Sequence, residues 1–241
     1  AGRAAVVRQV SARRVRSGTG HAARRLLGCV AATLGATAAC APAGGSPGVS
    51  PADASAPGAA ADPARAAAAP RVRLETDSGT IVVELAPDRA PGTVANFLRY
   101  VRDGRYDGGA FYRAVTMRNQ PTNPVRIEVI QGGLDADTAR ALPPIAHETT
   151  ERTGLRHRDG TISMARSTPG SARSEFFICI GDQPELDFGG RRNPDGQGFA
   201  AFGRVVEGMD VVRRIQRMPA DTMPPQRMAT VVRLRRVAEQ R

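Results

Sequence analysis

This chain of 241 residues has no tryptophan and no lysine, and only 3 cysteines and 3 histidines. Cys29, Cys40 and Cys179 stand in three different segments, so they build no disulfide framework. His21, His147 and His157 match no metal-ligand spacing. No metal and no cofactor is expected. Aromatic residues are missing from the first 70 positions, where Ala, Gly, Pro, Ser and Arg dominate, so that stretch holds no core. No apolar run reaches the ~20 residues that a bilayer-spanning helix needs. Phosphate-cradling glycine loops and nucleophile elbows are also absent.

What remains is one folded unit with a leader. Regular apolar alternation begins at "VRLETDSGTIVVELA" from Val72, which leaves residues 71–241 for a single core. The formal charge of +11 invites a nucleic-acid reading, but eight Arg against Asp53 and Asp62 put +6 of it in residues 1–70. The 26 arginines of residues 71–241 are scattered among 21 acids with no aromatic stacking series. A nucleic-acid surface needs a clustered basic face, so none is expected.

The leader follows the logic of export. Arg13, Arg14, Arg16, Arg24 and Arg25 form a positive stretch ahead of "LLGCVAATLGATAAC", which has the length of a signal-peptide core. Cys40 closes the tetrad "TAAC", which resembles the lipobox of bacterial lipoproteins, with Thr37 in place of the usual aliphatic residue. Two readings stay open at 1–40: acylation of Cys40, giving a membrane contact through the lipid alone, or plain cleavage near the same alanines. Residues 41–70 are Ala/Pro/Gly/Ser-rich and bury too little apolar surface to offset their ordering entropy. They read as a tether in the bacterial envelope.

Within 71–241, strand patterns outnumber helices. "RVRLETD" and "TIVVELA" flank Ser78-Gly79 and read as a hairpin. "APGTVANFLRYVRDG" carries Val94, Phe97, Leu98 and Val101 at helical spacing and exits at Gly104, and "GMDVVRRIQRM" reads as a second helix. Further strands fall at "AFYRAV", "RIEVIQG", "TISMAR", "EFFICIG", "AAFGRVV" and "ATVVRLRRV". Eight strands and two helices point to a mainly β fold, a closed eight-stranded antiparallel barrel capped by two α-helices.

Taken in order, "APGTVANFLRYV", "YDGGAFYRAV", "VIQGG", "GTISMAR", "SEFFICIG" and "FAAFGRVVEGMDVV" resemble the cyclophilins, the peptidyl-prolyl cis-trans isomerases. The resemblance implies that Arg113, in "FYR", projects onto a proline-binding groove outside the barrel and donates to the prolyl nitrogen, with Gln131 orienting it. It implies that Phe111, Val129, Ala165, Phe177, Leu186 and Phe199 contribute to the groove. Phe177 would line the proline pocket, because of Phe176 and Phe177 one must face inward and the other outward.

Four departures from the family pattern bear on the site. Glu128 stands where an aromatic floor residue is usual, three positions before Gln131. Glu175 replaces a glutamine, Arg166 an asparagine, and Glu185 an apolar residue. If Glu128 enters the groove it needs a partner, Arg166 or Arg126, because an unpaired buried carboxylate is costly. Phe199 would then refill the space. The connection after Arg113 is also about ten residues longer than usual.

The expected function is therefore peptidyl-prolyl isomerisation of proline-containing unfolded or flexible polypeptides by a periplasmic or membrane-anchored monomer. The alternative is a proline-peptide-binding chaperone or scaffold module with weak or no turnover. Arg113, Gln131 and Phe177 favour the enzyme; Glu128, Glu175 and Arg166 favour the binding module.

Overall fold

Short alternating segments become eight strands in the computed structural model, which describes residues 69–135 and 137–240. The expected leader, and the tether up to residue 68, lie outside the described residues. The strands are β1 (Arg71–Thr76), β2 (Gly79–Leu85), β3 (Ala110–Val115), β4 (Val129–Gly133), β5 (Thr161–Met164), β6 (Phe176–Cys179), β7 (Ala200–Glu207) and β8 (Arg227–Gln240). All pairings are antiparallel and the sheet closes on itself in the order β1-β2-β7-β5-β6-β4-β3-β8. Closure leaves no unpaired edge, as the count of strands implies.

The two expected helices are present as α1 (Pro91–Arg102) and α3 (Met209–Gln216), and a one-turn helix, α2 (Thr150–Thr153), adds a third. Proline opens α1, where its missing N–H is harmless, and Gly104 takes a positive φ of 62° just beyond its end. α1 packs on β7 and β8, and α3 on β2, β3 and β4. Phe97 of α1 enters a ring cluster with Tyr106, Phe176 and Phe202 at centroid distances of 5.1–5.7 Å. Truncating such a buried ring costs about 3–5 kcal/mol.

Several boundaries differ from the sequence reading: β5 and β6 are shorter than expected, β8 is longer, and two shifts bear on the site and its first hairpin. The first hairpin turns on Asp77-Ser78, one position earlier, because Gly79 pairs with Thr76 and supplies a φ of 127° at the start of β2. β4 begins at Val129, although strand character is expected from Arg126. There Gln120 Nε2 donates to the Ile127 carbonyl at 2.8 Å and the Glu128 amide donates to Gln183 Oε1 at 3.2 Å, while the Glu128 carbonyl still accepts from the Ile180 amide at 2.9 Å.

Alternation along β6 divides the interior from the outer face. Phe176 and Ile178 join the main core, while Phe177 and Cys179 join a second buried cluster with Val115, Ile127, Val129 and Leu186. That second cluster lies outside the barrel and forms the base of the site.

Candidate active site

A bulge in β3 creates the central feature. The register against β4 slips between Phe111 and Arg113, so Tyr112 is the extra residue and both Tyr112 and Arg113 turn toward the same outer face. Arg113 is half-buried there. Its Nη1 donates to Gln131 Oε1 at 2.8 Å and its Nη2 to Gln226 Oε1 at 2.9 Å. Its Nε is buried and has no partner among the described residues. Burial, reinforced by the nearby Arg192 charge, pulls the guanidinium below its ordinary value, and a guanidinium keeps its proton regardless.

The amides around Arg113 are themselves oriented. Gln131 Nε2 donates to the Tyr112 hydroxyl at 2.8 Å, and that hydroxyl donates to Glu175 Oε2 at 2.5 Å. Glu175 Oε1 also accepts from the Leu134 amide and from Ser174 Oγ, both at 3.0 Å. The donors run in one direction, from Arg113 through Gln131 and Tyr112 to the carboxylate. Because Tyr112 spends its proton on Glu175, its oxygen must accept from the Gln131 amino group, which leaves the Gln131 carbonyl oxygen for Arg113. Burial raises the Glu175 carboxyl above its ordinary range, with the Tyr112 hydrogen bond opposing that shift. Burial and the Glu175 charge push the Tyr112 phenol far up, so it stays protonated.

Gln226 sits 113 positions from Arg113 in sequence, with φ at 52°, and its Nε2 reaches the Asn119 carbonyl at 3.3 Å. It ties the guanidinium to the long β3–β4 connection. Nothing in local periodicity marks it as a site residue.

Beside Arg113 lies a cavity of about 250 Å³, floored by Ile127, Val129, Phe177 and Leu186 and bordered by Gln131, Ala165 and Phe199. Phe199 meets Phe177 edge-on at 5.2 Å and 85°. Under Phe177 the His157 ring is stacked at 5.9 Å, its Nδ1 bonded to Asp187 Oδ1 at 2.8 Å and its Nε2 to Ser163 Oγ at 2.9 Å. Although burial pushes the Asp187 carboxyl up, the His157 hydrogen bonds outweigh it and hold the group low. These three side chains have the order of a hydrolytic triad. Ser163 is fully buried, however, so their work is to support the pocket wall.

Of the sequence-derived groove residues, the structure brings Arg113, Val129, Gln131, Ala165, Arg166, Phe177, Leu186 and Phe199 to this one cavity. Phe111 is not there: it is fully buried inside the barrel, edge-on to Phe176 at 5.8 Å, on the opposite side of the strand. Glu128 is not there either. It faces the α3 side, where Gln216 Nε2 donates to its carboxylate at 3.3 Å, and neither Arg166 nor Arg126 pairs with it. Ile127 takes the floor position in its place, because residues 127, 129 and 131 share one face and 128 takes the other.

Arg166 pairs with Asp195 at 2.7 and 2.8 Å, donates to the Gly198 carbonyl and lies over the Phe199 ring at 5.3 Å. It clamps the inserted loop and holds the Asp195 carboxyl at about 2. Glu175 belongs to an adjoining cavity of about 280 Å³ that shares Gln131, Ala165 and Arg166 with the first. Cys40 lies outside the described residues.

The chain is similar in sequence and in fold to proteins of one family. The family model described as "Cyclophilin type peptidyl-prolyl cis-trans isomerase/CLD" matches residues 71–237. A peptidyl-prolyl cis-trans isomerase of Streptomyces antibioticus is 42% identical over 149 residues, 60% of this chain and 82% of that one. Peptidyl-prolyl cis-trans isomerase B of Escherichia coli is 35% identical over 146 residues, 60% of this chain and 83% of that one. A cyclophilin-type isomerase of Cryptosporidium parvum superposes with a TM-score of 0.57 at 20% identity, over 72% of this chain and 98% of that chain, a likeness of fold.

Proposed function

Since the chain belongs to the cyclophilin-type peptidyl-prolyl cis-trans isomerases and is an isomerase of that class, we propose that Arg113 is the group that lowers the rotational barrier at X-Pro bonds. The barrier of ~18–20 kcal/mol arises because the nitrogen lone pair is delocalised into the carbonyl. A donor aimed at the prolyl nitrogen favours the twisted state in which that lone pair is localised. It binds this state better than either planar isomer, which is the condition for catalysis. The observation that carries the reading is Arg113 itself: held by two amides at the edge of a cavity with an apolar floor, with a buried Nε that has no acceptor among the described residues. Ile127, Val129, Phe177 and Leu186 would take the pyrrolidine ring, and Gln131 the substrate backbone. A related Cryptosporidium parvum cyclophilin was crystallised in the presence of the dipeptide Ala-Pro, which supports proline-containing peptides as the substrate class.

We also propose that the domain acts in the bacterial envelope as a monomer, carried there by the leader at 1–40 and hung from a lipid on Cys40 by the tether at 41–70. X-Pro isomerisation takes ~10–100 s unaided, so exported chains gain from its acceleration.

The test is the isomerisation rate of short X-Pro peptides with the protein and its Arg113→Ala variant. Loss of one preorganised transition-state donor lowers turnover by about 10²–10³. Variant rates equal to those of the unmodified protein, with the melting temperature retained, rule Arg113 out. For the anchor, Cys40→Ser abolishes incorporation of a fatty-acid probe in cells; an unchanged signal excludes acylation at Cys40.

A further inference from the structure

The cavity beside Arg113 is lined by three arginines and no acid. Arg166 is neutralised by its bidentate pair with Asp195. Arg113 and Arg192 are different: among the described residues no carboxylate lies within 4.0 Å of either guanidinium. The contrast with the next residue is direct, since Arg191 points outward and is taken up by Glu185 at 2.8 Å. The adjoining cavity differs in charge, since three acids, Asp135, Asp137 and Glu175, line it.

Arg192 is a fixed feature. Its Nη1 donates to Gln120 Oε1 at 3.0 Å and to the Val125 carbonyl at 2.5 Å, and its backbone amide donates to the Glu185 carbonyl at 3.1 Å. These contacts join the long β3–β4 connection to the inserted segment before β7 and set the guanidinium in the wall of the cavity. Nε and Nη2 make no hydrogen bond among the described residues and are not enclosed, so both remain open to solvent. Burial pulls the Arg192 guanidinium below its ordinary value, as it does Arg113. Two half-buried cations on one cavity repel each other and are poorly hydrated. An anion placed between them relieves both penalties.

We propose that Arg192 is a specificity residue that selects substrates with a carboxylate flanking the proline. This rests on the isomerase reading above and adds the substrate class to it. The carboxylate comes from an Asp or Glu side chain next to the proline, on either side, or from a chain terminus. The proline ring enters the apolar floor, Arg113 meets the prolyl nitrogen, and the carboxylate accepts from Arg192 Nε and Nη2.

The experiment measures kcat/KM on four peptides that share one blocked neutral X-Pro frame: the neutral peptide, one with Glu before the proline, one with Glu after it, and one with a free terminal carboxylate after it. Each is run with the full chain, Arg192→Gln and Arg192→Lys, at low salt and at about 1 M salt, where the screening length falls to about 3 Å. At least one acidic peptide is expected to exceed the neutral one by about tenfold at low salt. The ratio falls at high salt, collapses toward one in Arg192→Gln, and is largely kept in Arg192→Lys. Acidic-to-neutral ratios within twofold of one in the unmodified protein overturn the proposal, as does an equal ratio in Arg192→Gln. Turnover of the neutral peptide reports the isomerase reading separately: its absence together with that of every other peptide would remove that reading, whereas its presence with flat ratios removes only the role of Arg192.

Discussion

Removing the Tyr112 hydroxyl tests whether the Glu175–Tyr112–Gln131 sequence of hydrogen bonds holds Arg113 in place. Tyr112→Phe keeps the buried ring, which is 7% exposed, and deletes one oxygen. Glu175 loses its shortest partner, at 2.5 Å, and keeps the Leu134 amide and Ser174 Oγ; Gln131 Nε2 loses its only acceptor among the described residues. A hydrogen bond to a charged group is worth about 1.5–3 kcal/mol. For a domain of this size 1 kcal/mol moves Tm by about 2–4 °C, so a drop of roughly 3–12 °C is expected at neutral pH. The deficit depends on pH in a definite direction. Burial already raises Glu175 above its ordinary 4.5, and without the hydroxyl the folded value climbs further. A carboxyl with a raised folded value contributes most to stability below its unfolded value and loses that contribution as pH rises through the folded one. The Tm deficit of Tyr112→Phe is therefore small near pH 4 and full near pH 8. Turnover falls by about tenfold, equivalent to about 1.4 kcal/mol, because Gln131 is free to rotate. The double variant Tyr112→Phe/Glu175→Gln regains part of the lost stability, since no charge is left without its partner. A deficit that is flat in pH, or one that grows in acid, refutes the reasoning.

Three further outcomes are expected. Ile127→Ala raises KM for X-Pro peptides more than it changes kcat, read from peptide kinetics, because Ile127 floors the cavity and touches no reacting atom, whereas Glu128→Gln leaves KM within about twofold. Arg166→Ala releases Asp195, whose carboxyl rises from about 2 back toward 3.8; in the unmodified protein that pair stabilises the fold above the ordinary value and is lost as pH falls toward 2, a titration followed by NMR. Cys179 is fully buried and its thiol is pushed well up by desolvation, so a thiol reagent labels it only on the timescale of unfolding; rapid labelling of the folded protein would contradict its placement.

The reading of strands and helices carried far because each one has a short-range cause. The 3.6-residue spacing of Val94, Phe97, Leu98 and Val101 and the alternation in "AFYRAV" are set by neighbours along the chain, and both elements stand where expected. Phe176 and Phe177 divide between core and groove as adjacent strand residues must. Glu128 was open to the same treatment: an offset of three from Gln131 places it on the other face of an extended segment, and Ile127 at an offset of four on the same one. Phe111 is the opposite case: an even step from Arg113 places both on one face of a regular strand, and only the β3 bulge separates them.

Spacing along the backbone sets the number and order of the strands, the two longer helices, and the split of Phe176 and Phe177 between core and groove; the outward direction of Arg113 is legible only through the family pattern, because the β3 bulge breaks the alternation there. Tertiary structure alone decided which polar groups meet. Gln226 reaches Arg113 across 113 positions, Asp195 reaches Arg166 across 29, and Gln120 reaches Arg192 across 72. Those pairings depend on where barrel closure and two long connections bring the backbone in space, and no periodicity encodes a contact between segments whose separation is set by loops.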